Sequence, residues 1–173
     1  MRRAALALAL IPGVVLSQIN SEIAHVHGTG RLDVTVLGTV FSLSLAVPAE
    51  DILGFETPAD SDEDRALVAK AISDLSKPLD LFLLPEEAAC VTTAANVTLQ
   101  AEGLGQVAEA DQEHHAEFLA DYQIECQNVE VIEAVRLAYF DRFPRAEKLV
   151  IRLDRSGEIL THDVTRSEPV LPF

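Results

Sequence analysis

Between residues 116 and 126 the side chains alternate: Phe118, Ala120, Tyr122, Ile124 and Cys126 stand against Glu117, Asp121, Gln123 and Glu125. Successive side chains on an extended chain point to opposite faces, so this period commits the stretch to a strand with one buried side. The same period recurs elsewhere. Leu32, Val34 and Val36 alternate with Asp33 and Thr35, and Thr39, Phe41, Leu43, Leu45 and Val47 share one face. Gly38-Thr39 lies between these two runs, which makes them a hairpin. Residues 148–154 and 158–165 form another hairpin across Arg155-Ser156-Gly157. Residues 90–101 alternate more weakly, with Val91, Val97 and Leu99 inward.

Two stretches carry helical spacing instead. Over residues 62–76, Leu67, Ala71 and Leu75 recur every four positions beside Val68 and Ile72. Asp60-Ser61-Asp62 supplies the N-cap and Pro78 the stop. Over residues 130–140, Val131, Val135 and Ala138 share a side with Ile132 and Phe140 flanking, and Pro144 follows. Residues 48–61 are irregular and polar, 79–84 are apolar but too short to assign, and 102–113 read as an acidic, Gly-containing loop. The Pro-rich tail from Ser167 is expected on the surface. The order predicts an α+β fold: an antiparallel sheet of about six strands built from hairpins, with two helices.

A chain of 173 residues with 49% hydrophobic side chains supports one real core. Its formal net charge of -15 disfavours nucleic acid, whose binders must neutralise phosphates, and anionic lipid for the same reason. Met1-Arg2-Arg3 precedes an apolar run from Ala4 to Leu16, broken only by Pro12-Gly13. A positive start and an apolar stretch too short to span a bilayer describe a secretory signal peptide. The expected organisation is a signal peptide over residues 1–17 and a single α+β domain over 18–173, exported and without stable membrane insertion after cleavage.

Two cysteines, Cys90 and Cys126, are present. In an oxidising compartment they pair, and the alternative is two separate buried thiols. Neither belongs to a CxxC motif. Four of the five histidines fall in two tight pairs, His25/His27 and His114/His115. On an extended backbone His25 and His27 face the same way and can reach one ion, with Gly28 letting the chain turn around it. His114 and His115 face opposite ways, so one of them joins any given site. Asp111, Glu113 and Glu117 are nearby acids. Neutral imidazole suits Zn(II). His162, on the last hairpin, reads as an ordinary surface or half-buried residue. GxSxG, HExxH, Walker and GxGxxG patterns are absent, so an enzyme is not expected.

Several segments in this order carry a resemblance: AHVHGTGRLDV, LPEEAACVTTAANVTL, HAEFLADYQIEC and AYFDRFPRAEKLVIRLDRSGEILTHDV. Together they resemble the zinc-regulated periplasmic protein family, the ZrgA-like proteins of Gram-negative bacteria. The resemblance implies a periplasmic zinc-binding accessory protein that assists zinc acquisition by an ABC-type importer. It implies a zinc ion as partner, and a periplasmic zinc-binding protein or the importer itself. The family's HxHG falls on His25, His27 and Gly28, and its H-x-(D/E)-F on His115, Glu117 and Phe118. The resemblance also implies that Cys90 and Cys126 pair. Family members often carry a long His- and Asp-rich loop where this chain has only GLGQVAEADQEHH, a departure that argues against high-capacity storage and is compatible with a single site on the strand histidines or with no metal at all. The expected zinc ligands are His25, His27 and His115, with His114 and Glu117 in reserve. Two rival readings remain: a metal-free periplasmic structural or interaction domain, and a metal-dependent hydrolase using the same histidines.

Overall fold

The computed structural model describes residues 26–56, 59–101 and 116–173. The expected signal peptide, the loop over 102–113, His25, His114 and His115 lie outside the described residues. In chain order the strands are β1 (Thr29–Leu37), β2 (Val40–Pro48), β3 (Phe82–Leu83), β4 (Cys90–Ala101), β5 (Ala116–Cys126), β6 (Ala134–Leu137), β7 (Lys148–Arg155), β8 (Glu158–Thr165) and β9 (Val170–Pro172). The helices are α1 (Ala49–Leu53), α2 (Asp62–Leu75), α3 (Pro78–Leu81) and α4 (Tyr139–Arg142). The fold is mixed α+β, as the pattern predicts.

Six strands form one sheet in the order β4-β5-β2-β1-β7-β8, and a second sheet runs β3-β6-β9. The alternating residues decide the two faces of the larger sheet. Leu32, Leu45, Phe118 and Ile151 are buried on one side. Asp33, Ser42, Ser44 and Asp121 occupy the other, where the Ser44 hydroxyl donates to Asp121 at 2.8 Å. Each fully buried Leu, Ile or Phe contributes about 1.5–3 kcal/mol relative to exposure. The small sheet covers the apolar face. Phe82 meets the Tyr122 ring edge-on at 6.3 Å, and Phe173 stacks on Phe41 at 5.4 Å.

Five expectations are corrected, the first being Val91, expected inward on β4 but 57% exposed. The large sheet is mixed, because β1 pairs with β7 in parallel while its other pairings are antiparallel. A parallel pair needs a long crossover, and local hairpin patterns carry no signal for it. Residues 130–140 do not form a helix. They make a 3-10 turn at Val129–Val131, then β6, and then the start of α4. Val135 and Leu137 are buried between β3 and β9, so strand pairing overrides the helical spacing. The tail is not simply on the surface, because β9 pairs with β6 and buries Leu171. The span after β2 holds the short helix α1, which ends at Gly54 with φ 87°.

The hairpins and α2 match their sequence signals. Ser156 (φ 56°) and Gly157 (φ 90°) both adopt the left-handed conformation that a two-residue hairpin turn of matching twist requires. Ser61 caps α2, accepting the Asp64 N–H at 3.0 Å while the Asp64 side chain returns to Ser61. Ala71 and Leu75 are buried, whereas Leu67 is 42% exposed and lies off the packed stripe. Cys90 and Cys126 stand directly opposite each other on β4 and β5 and form a disulfide.

Candidate metal centre

The strand directions gather several chain segments at one end of the large sheet. β1 and β7 begin there, β2 ends there, and β5 begins there. The registers make this explicit: Thr29 lies opposite Lys148, and Pro48 opposite Glu117. The disulfide and the turns at Gly38-Thr39 and Ser156-Gly157 lie at the other end.

His27 enters β1 at the gathered end, and the residue after it is held tightly. Gly28 has φ 81°, a region that disfavours any side chain. Its N–H donates to Asp51 Oδ1 at 2.7 Å. Its carbonyl accepts the N–H groups of Glu147 and Lys148, both at 2.8 Å. A Cβ added at Gly28 would lie 3.2 Å from the Glu147 side chain. The turn is therefore fixed from three sides.

The single-turn helix α1 delivers acids to this point. Asp51 is 2% exposed, and its Oδ2 has no hydrogen-bond partner among the described residues. Burial pushes the Asp51 carboxyl above its ordinary value, against the Gly28 N–H and the His27 ring. The neighbouring carboxylates Glu50 and Glu147 push it further up. After α1 the left-handed Gly54 turns the chain back, with the Arg145 guanidinium packed where a side chain would project. Glu56 then arrives beside His27, with its Oε1 3.6 Å from His27 Nε2.

Of the residues expected from sequence, the structure describes His27 and Glu117. Glu117 is half-buried on the outward side of β5, level with Pro48 on β2 and Gln100 on β4. β2 separates β5 from β1, so the two strands lie roughly 9–10 Å apart across the sheet. His115 immediately precedes the start of β5 in the chain. Among the described residues no set of three His, Cys, Asp or Glu side chains converges so as to hold a metal. His162 is half-buried on β8 opposite Ile151.

Sequence reasoning missed Asp51 and Glu56. Both lie in a span that reads as irregular and acidic, and nothing local separates them from the other carboxylates there. The pattern PAEDILG does hold an apolar pair and a terminal glycine suited to one helical turn. The His27 imidazole and the Glu56 carboxylate are two donors of types that divalent cations take, and an acidic field concentrates such ions.

Among the described residues no helix is long and apolar enough to cross a membrane. No curated protein matches the chain. The sequence model described as ZrgA family zinc uptake protein matches residues 24–173, a span that takes in His25, His27 and everything after them, and the chain belongs to that family.

Proposed function

We propose that this protein is a periplasmic accessory protein of zinc acquisition, which binds zinc and passes it to an ABC-type importer. Residues 1–17 act as its export signal and 18–173 as one domain. The zinc ion is cargo, so the protein works by binding and release and needs no catalytic group. The observation that carries the reading is the His27 imidazole set among acidic side chains at one end of the sheet, in a chain of a zinc uptake family. The proposed ligands are His25, His27 and His115, with His114 and Glu117 in reserve. Support for combining the two segments comes from topology: β1 and β5 both begin at that end.

Calorimetric titration of the metal-free full chain with zinc tests the reading. A saturable binding heat is expected, weakened in His27→Ala. Flat heats in the wild-type protein overturn it.

A further inference from the structure

We propose that Glu56 supplies a carboxylate ligand to the same zinc ion as His27; the inference rests on the zinc reading above. Its basis is a spacing. Zn–N and Zn–O bonds of about 2.0–2.1 Å at a tetrahedral angle put two ligand atoms roughly 3.3 Å apart. His27 Nε2 and Glu56 Oε1 are separated by 3.6 Å. That is longer than an N–H···O hydrogen bond, whose upper range is about 3.2 Å, and within a few tenths of the ligand–ligand distance.

The two side chains are also exposed in a useful way. The His27 side chain is 58% exposed, so its ring borders solvent. The Glu56 side chain is 14% exposed, so the carboxylate is held and not freely solvated. The backbone at both residues is set by its neighbours. Asp51 grips the N–H of Gly28, immediately after His27. The Gly54 turn, two residues before Glu56, closes with its N–H on the Glu50 carbonyl at 2.8 Å. One short helix therefore carries both the grip on the histidine segment and the approach of the second ligand. Ligands held near their final positions lose less entropy on binding. The buried Asp51, with Oδ2 unpartnered among the described residues, grips the residue that follows His27. An anionic oxygen beside a neutral imidazole offsets part of the ion's charge, which two imidazoles alone would not do.

Glu56→Gln keeps the shape and removes the anionic oxygen. The full chain and this variant are titrated with zinc by calorimetry, and the visible absorption of each is recorded with Co(II) in place of zinc. The proposal expects a rise in Kd of tenfold or more and a changed Co(II) band, with the thermal midpoint of the metal-free protein unaltered. If the wild-type protein binds zinc and Glu56→Gln has the same Kd and the same Co(II) band, Glu56 is not a zinc ligand. The proposal then falls and the zinc reading stands. Flat wild-type heats remove both. If Glu56→Gln loses the metal-free melting transition, Glu56→Asp replaces it. That variant keeps the charge but shortens the reach, and an unchanged Kd there equally overturns the proposal.

Discussion

Two aspartates are buried among the described residues, and they are held in opposite ways. Asp74, on α2, is 7% exposed and receives Lys70 at 2.7 Å and a close contact from the Arg142 guanidinium of α4. Burial pushes its carboxyl up, but the hydrogen bonds from Arg142 and Lys70 outweigh that and hold it below the ordinary value. Asp51, on α1, has a backbone N–H, a nearby imidazole and carboxylate neighbours, and its carboxyl is raised. The first arrangement clamps two helices together. The second places a carboxylate where the fold gains little from its charge, next to the segment that carries His27. A buried carboxyl whose surroundings disfavour its charge is a candidate functional group, whereas one matched by two cations is accounted for by the fold.

The largest expected effect lies at the end of the sheet away from His27. Replacing both Cys90 and Cys126 by Ser removes a bridge of sequence separation 36. This should cost about 3–4 kcal/mol by denaturant unfolding, with zinc affinity unchanged by calorimetry. A large loss of affinity would mean that the disulfide end and the His27 end are coupled. Next in size, Asp74→Asn should lose about 1.5–3 kcal/mol, the worth of hydrogen bonds to a charged group, and leave zinc affinity alone. Asp51→Asn should do the reverse. Its amide oxygen can still accept the Gly28 N–H, so the thermal midpoint should stay at or above wild type while zinc affinity falls about tenfold. Equal destabilisation by both variants would erase the distinction.

The smallest effect is the pH dependence of that difference. Asp74 has a folded pKa below its unfolded one, so its contribution is present above about pH 3.8 and is lost as pH falls through the depressed folded value. Asp51 has a folded pKa above its unfolded one. The stability tied to its proton is present below about pH 3.8 and is lost as pH rises through the raised value. Unfolding free energies from pH 3 to 7 should show Asp74→Asn falling below wild type as pH rises. Asp51→Asn should move level with wild type or above it over the same range. Curves that shift in the same direction would contradict the assigned surroundings.

Much of the large sheet was legible before folding. The two-residue period named the inward residues of β1, β2 and β5, and short turns joined β1 to β2 and β7 to β8. The family resemblance implied the disulfide that the structure contains. The segment over 130–140 is ambiguous in sequence because Val131 and Val135 suit a helix as well as they suit a strand, and only the neighbours β3 and β9 settle the matter. At the site, His27 was legible as half of an HxH pair. Asp51 and Glu56 were not, since an acidic chain offers many carboxylates and a single sequence does not rank them.

Taken alone, the amino-acid order determined which side chains are buried in β1, β2 and β5, where the hairpins turn and where α2 begins. These follow from contacts within a few residues, which repeat with the local geometry of the backbone. Only the tertiary structure decided that β1 lies parallel to β7, that β6 is a strand and that α1 brings two acids to His27. Those contacts join residues about 20 to 120 positions apart, and their formation depends on how the whole apolar surface is buried, which no local period encodes.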